Sequence, residues 1–238
     1  MPELRPTETR ERILDVAERL FMTHGYDGTS MRQITSDAEV NLAAVNYHFG
    51  SKEELVKEVF RRRLDWLNEE RMRVLDRLEG ESGGQPLKAS AILEAFFGTL
   101  LRMAGDESRG GMTFLRLLGR TFTEPSQFIR TFLAHEYQDV MDRYKEALFK
   151  ALPDVPKAEI VWRFHFMLGA TSYAIAGTDA LRLVTDWQVE DEDSVDRIDR
   201  LLPRLMSFLL GGLRAPLPQF SEAAPEAAAK PKRSKKAS

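Results

Sequence analysis

Cysteine is absent from the 238 residues, which removes disulfides, thiol nucleophiles and thiolate metal sites. Long apolar runs are missing as well. Nothing approaches the roughly 18 residues that a membrane span needs. The opening MPELRPTETRER has no apolar signal core. These absences predict a cytoplasmic protein without a membrane partner. Strand-like alternation is scarce, and no Gly-rich phosphate loop or nucleophile elbow occurs. None of His24, His48, His135 and His165 has a glutamate three positions before it, the pattern of an inward metal-binding pair in a helical bundle. Catalytic residues, metal ligands and cofactors are therefore not expected.

An excess of positive charge is lacking too. The net charge is −3. Residues 1–52 hold Arg5, Arg10, Arg12, Arg19, Arg32 and Lys52 against a larger set of Glu3, Glu8, Glu11, Asp15, Glu18, Asp27, Asp37 and Glu39. A nucleic-acid partner would have to be held by the placement of cations rather than their number.

The composition, 43% hydrophobic and 30% charged, is that of an ordinary folded protein. Leu, Glu, Arg, Ala and Met dominate, so the fold is read as all-α. A first helix spans about Thr7–Thr23, with Ile13, Leu14, Ala17, Leu20 and Phe21 on one stripe. Gly25 is suited to a left-handed stop. Two short helices follow at about Ser30–Asp37 and Asn41–His48, with Thr29 and Asn41 as N-caps. Ser51 and Glu54 have the spacing of a capping box for a long helix reaching about Leu78. GESGGQP, residues 80–86, is a loop. Further helices are expected at about 87–104, 110–122, 126–151, 157–184 and 193–213, with Pro203 kinking the last or marking a late start. Residues 215–238 read as a disordered tail with a basic end (Lys230, Lys232, Arg233, Lys235, Lys236).

Residues 29–55, TSMRQITSDAEVNLAAVNYHFGSKEEL, carry the functional signal. Two helices of about two turns cannot stabilise themselves and need cover from the helices on either side. Ile34, Ala38, Val40, Val45 and Phe49 supply an inward face, spaced for two helices crossing steeply. The outer side of the second helix is then free to enter a DNA major groove.

Ile34–Leu55 resembles the DNA-binding domain of the TetR family, whose signature ends Tyr-His-Phe-x-x-Lys-x-x-Leu. Tyr47, His48, Phe49, Lys52 and Leu55 match that ending, and RILDVAERLFMTHGYDGTSMRQI matches the family's opening. Glu39 stands where the family usually has glycine in the turn, and Asn46 where many members have an aromatic. NLAAVNYHFGSK is similar to the fatty-acid-responsive (PsrA-like) branch.

The resemblance implies three parts: a helix-turn-helix domain at 1–52, a helical effector-binding and dimerisation domain at 53–214, and the tail at 215–238. It further implies a homodimeric repressor on a palindromic operator in double-stranded DNA, released by a small apolar or acyl-type effector. Phosphates would be met at helix N-termini by Thr29 and Lys52, joined by Arg32 and Tyr47. Asn41, Ala43, Ala44 and Asn46 would read bases, with His48 on the phosphate side. The last two helices would pair into a four-helix bundle through Phe164, Leu168, Thr171 and Ile175 on one and Leu202, Leu205, Phe208 and Leu209 on the other. An effector pocket is expected among Phe97, Leu101, Phe114, Arg116, Phe128, Phe132, His165, Phe166 and Tyr173. The rival reading is a helical small-molecule or lipid-binding protein that does not bind DNA.

Overall fold

The computed structural model describes residues 6–123, 127–176 and 198–219, and every regular element among them is helical. Residues 220–238 of the expected tail, its basic end included, and residues 177–197 between the last two helices lie outside the described residues. The order is α1 (Pro6–Gly28), α2 (Met31–Asp37), α3 (Leu42–Phe49), α4 (Lys52–Glu81), α5 (Ala89–Leu93), α6 (Thr99–Arg102), α7 (Gly111–Thr123), α8 (Gln127–Glu136), α9 (Gln138–Ala151), α10 (Lys157–Ala176) and α11 (Ile198–Leu213). No helix among the described residues is long and apolar enough to cross a membrane.

The N-terminal helices begin and end where side chains satisfy free backbone groups. Gly25, at φ 73°, breaks α1, and the Arg120 guanidinium of α7 donates to the Met22 and Thr23 carbonyls just before the break. Ser30 caps α2 in a full capping box with Gln33. Asn41 Oδ1 accepts from the Ala44 amide at 2.7 Å and caps α3. Ser51 Oγ accepts from the Glu54 amide at 3.1 Å. The Glu54 carboxylate turns instead to Lys57, 2.6 Å away, so only half of that expected box forms.

Two long helices of the sequence reading are interrupted. The 87–104 helix contains a π-helical turn at Glu94–Gly98 between α5 and α6. The 126–151 helix divides at Tyr137 into α8 and α9, and Asn68 Nδ2 of α4 donates to the Glu136 carbonyl at the end of α8. α11, by contrast, runs through Pro203.

One apolar core runs through all of this. α7 is its axis, packed against α1 on one side and α10 on the other, while α4 lies along α1 and continues to α6, α8 and α9. A set of charges ties α4 to α1. The buried Glu18 carboxylate accepts from Arg62, and Arg63 Nη2 reaches it at 3.1 Å. Arg62 Nη1 also donates to Asp15 at 2.7 Å, and Arg10 pairs with Glu58. Glu11, Asp15 and Glu18 of residues 1–52 are thus paired with arginines of α4.

The α2–α3 turn is a Schellman motif. Val40 N–H donates to Thr35 O at 3.0 Å, Glu39 N–H to Ser36 O at 3.1 Å, and Glu39 sits at φ 50°. It is the single non-glycine residue at positive φ among the described residues. A left-handed L-residue costs about 1–2 kcal/mol, so Glu39→Gly is expected to raise stability by about 1 kcal/mol. Urea unfolding checks this, and a lower midpoint would contradict it.

Candidate nucleic-acid interface

Val45 and Phe49 anchor the inner side of α3; Val45 is fully buried and joins Ile34, Ala38, Phe21 and Leu55 in the core. A helix this short would not persist without such tertiary burial. Its outer side carries Leu42, Ala43, Asn46 and Tyr47, and Tyr47 is 84% exposed. An aromatic ring this open to water, on a helix pinned from behind, offers surface for a partner. Tyr47 also meets the His48 ring edge-on at 5.1 Å, which orients both side chains.

The residues expected to read bases do not share one status. Ala43 and Asn46 are exposed, and Ala44 and His48 are half-buried at the edge of the face. Asn41 uses its side-chain oxygen as the cap, leaving only the amide nitrogen for a partner. Leu42, absent from the sequence-based set, lies on the open face at 46% exposure. Its place as first residue of α3 was readable, but an apolar side chain there reads as core.

Thr29 requires a correction. It is buried, and its hydroxyl hydrogen-bonds the Leu20 and Gly25 carbonyls at 3.0 and 2.8 Å. It fastens the end of α1, and Ser30 takes the capping role given to it. Its hydroxyl cannot reach a phosphate. Arg32 is exposed on α2, whereas Lys52 opens α4 with Nζ 4.2 Å from the Tyr26 ring centroid. Burial pushes the Lys52 ammonium below its usual value, and Asp27 opposes that shift. Arg32 near the start of α2, Tyr47 near the end of α3 and Lys52 at the start of α4 thus sit on three successive helices.

In the larger part of the chain, a cavity of about 400 Å³ opens between α4, the π-helical turn, α7, α8, α9 and α10. Phe97 is the one member of the expected pocket set that lines it. Phe114 and Phe132 instead pack on Phe60, with ring centroids 6.2 and 6.4 Å apart, and Leu101 is fully buried core. Phe128 lies against Tyr26 near the start of α4, and Arg116 is half-buried outside the lining.

The assignments made on α10 are interchanged. Phe164, Thr171 and Ile175, expected to face a partner, are buried, and Leu168, Thr171 and Ile175 line the cavity. His165, Phe166 and Tyr173, expected to line the pocket, face outward, the first two beside Trp162. α10 is apolar around most of its circumference, so its periodicity did not say which stripe turned inward. On α11, Leu205 and Leu209 are buried within the chain and Leu202 is half-buried, while Phe208 is 67% exposed.

Comparison with known proteins places these features in context. The family model described as "Bacterial regulatory proteins, tetR family" matches residues 13–59. A second, "Tetracyclin repressor-like, C-terminal domain", matches residues 94–212, half of the chain. The HTH-type transcriptional repressor KstR2 of Mycolicibacterium smegmatis is 35% identical over 72 residues, 30% of this chain and 35% of its own length. The chain thus aligns with about a third of that relative. A crystal structure of a probable transcriptional regulatory protein superposes with a TM-score of 0.56 at 22% identity, covering 89% of this chain and 100% of that one. The ketosteroid transcriptional regulator KstR2 of Mycobacterium tuberculosis superposes with a TM-score of 0.54 at 16% identity, covering 84% and 93%. At such identities the superpositions speak for the fold.

The Thr29 geometry has a direct consequence. Thr29→Val removes the hydroxyl's hydrogen bonds to the Leu20 and Gly25 carbonyls and is expected to lower stability by about 0.5–1.5 kcal/mol, with DNA affinity of the folded protein unchanged. Thermal melting and a binding titration on the same sample check this. Lost DNA affinity at unchanged stability would restore a phosphate contact.

Proposed function

This chain belongs to the TetR family of bacterial regulatory proteins, and we propose that it is a homodimeric transcriptional repressor that binds a palindromic operator and is released by a small apolar or acyl-type effector. The observation that carries the DNA-binding part is α3 itself, capped by Asn41, pinned through Val45 and Phe49, and open along Ala43, Asn46 and Tyr47. Asn46 can offer an adenine edge two hydrogen bonds, and Ala43 can meet a thymine methyl. Arg32, Lys52 and Tyr47 flank that face as phosphate contacts.

A palindromic operator needs two such helices about 34–36 Å apart, hence two copies of the chain. The exposed aromatic face of α10 and α11, with Trp162, Phe166, Tyr173 and Phe208, supports a dimer interface there. Such residues are costly to leave in water and are enriched in protein interfaces.

Release requires that the effector prefer a dimer geometry which misplaces α3. Two helices could carry that preference. α4 contributes Arg71 to the cavity and clamps α1 through Arg62 and Arg63. α7 contributes Leu118 to the cavity and holds the end of α1 through Arg120. A differential affinity of about 2–3 kcal/mol would weaken operator binding about 30- to 150-fold.

Two outcomes are expected. Asn46→Ala should weaken binding to an operator selected by the protein from random duplexes by about five- to 150-fold, with the folded state intact. A gel shift that finds equal affinities contradicts the base-reading role. Trp162→Glu with Phe166→Glu should turn a dimer into a monomer in size-exclusion light scattering and lose operator binding. A dimer that survives both changes places the interface elsewhere.

A further inference from the structure

The cavity described above is apolar almost throughout, yet its lining includes a buried guanidinium. Arg71, at the inner side of α4, is 1% exposed. Its Nε donates to the Phe96 carbonyl at 3.1 Å, an acceptor within the π-helical turn, and its Cζ lies 3.8 Å over the Phe96 ring. The Tyr137 ring lies beside it as well, its centroid 5.6 Å from Arg71 Cζ. Tyr144 fixes the backbone beneath by donating to the Arg71 carbonyl at 2.8 Å.

Among the described residues, Arg71 has no carboxylate as an ion-pair partner. The titratable groups beside it among those residues are the Tyr137 and Tyr144 hydroxyls, which burial keeps neutral. Its Nη1 is buried without a hydrogen-bond partner among the described residues. Burial pushes the guanidinium below its usual value, but arginine stays protonated in proteins. A water molecule would satisfy the missing hydrogen bond and leave the charge uncompensated. A buried cation without a counter-charge is strongly unfavourable.

A second orphan lines the same cavity. Thr171 Oγ1, on α10, is buried and has no partner among the described residues. Its neighbour Ser172 differs, since its hydroxyl donates to the Leu168 carbonyl at 2.7 Å. Two residues with unpartnered polar atoms, from helices far apart in sequence, therefore line a mainly apolar space of about 400 Å³, whose lining also includes Arg130, Gln138 and Asp142. Phe97, Leu100, Leu133 and Ile175 form much of the remaining wall.

We propose that this cavity binds an amphipathic monocarboxylate, whose head group accepts hydrogen bonds from Arg71 Nη1 and the Thr171 hydroxyl while its apolar body fills the space between α8, α9 and α10. The inference rests on the effector reading above and deepens it by naming the head-group chemistry and its anchor. It also explains the π-helical turn, which supplies the carbonyl that holds the guanidinium in place. Because Arg71 belongs to α4, the charge of the ligand bears directly on the helix that enters the DNA-binding end.

The test is calorimetric titration of the full chain at neutral pH with decanoate, deoxycholate and decanol. Wild type is expected to bind at least one acid about tenfold or more tightly than decanol, the scale of a charge-assisted hydrogen bond. Whether decanoate or deoxycholate binds better tells a straight from a ring-bodied ligand. Arg71→Met is expected to abolish the preference for the acid while decanol binding survives. Its melting temperature without ligand should rise, because an uncompensated buried charge is gone. Thr171→Val, which keeps the shape of the side chain, should weaken acid binding about threefold to tenfold and gives a readout independent of how Arg71→Met folds. Equal binding of acid and alcohol to wild type, no binding of either acid, or an acid preference retained in Arg71→Met would overturn the assignment.

A parallel gel shift separates this from the regulator reading. Arg71-dependent acid binding with unaltered operator affinity keeps the assignment and removes release. Operator release by acid and alcohol alike, indifferent to Arg71→Met, does the reverse.

Discussion

A helix of two turns has almost no stability of its own, so whatever α3 does depends on the burial of Val45 and Phe49 beneath it. That burial is arranged by neighbours on both sides in sequence. α1 brings Leu14, Ala17 and Phe21, α2 brings Ile34 and Ala38, and the start of α4 brings Leu55 and Val59. The Asn41 cap and the Glu39 turn then set where α3 begins and how it leaves α2. Pinning one side so firmly is what leaves Asn46 and Tyr47 to the solvent.

The same constraint explains how an acidic domain remains compatible with a polyanionic partner. Asp15 and Glu18 face α4, where Arg62 and Arg63 occupy them. Asn46, Tyr47 and Arg32 are exposed, and none of them is engaged by those carboxylates. α4 has two attachments. Near its start it is locked to α1 by charge, and about two turns further on it presents Arg71 to the cavity, some 12 Å away along the axis. A rigid helix spanning that distance is a short route between a ligand and a DNA-reading unit, and α7 offers a second through Arg120.

The DNA-binding end was largely legible in the sequence because its signals are local. Gly25, Asn41 and Ser51 mark helix ends by chemistry that operates within a few residues, and the Ile34 to Phe49 spacing fixes an inner face. Thr29 against Ser30 was not decidable, since adjacent hydroxyl residues both suit a cap and only the packing of α1 buries one of them. Further along, the controlling interactions are long-range. The break at Tyr137 has no proline or glycine to announce it and is met by Asn68 from α4. The π-helical turn at Glu94–Gly98 is met by Arg71. α10 carries apolar residues on both faces, and the choice between the Leu168 and Phe166 stripes is made by α7 and α11. Arg71 itself looks like one more charge on a long amphipathic helix until its neighbours are known.

The central claim is that the outer side of α3 meets DNA. Side-chain oxidative footprinting of the full chain, with and without an operator duplex, addresses it without altering a residue. Tyr47, at 84% exposure, should be modified readily in the free protein and strongly protected on the operator, with Trp162 insensitive to DNA. Equal modification of Tyr47 in both states would contradict the account.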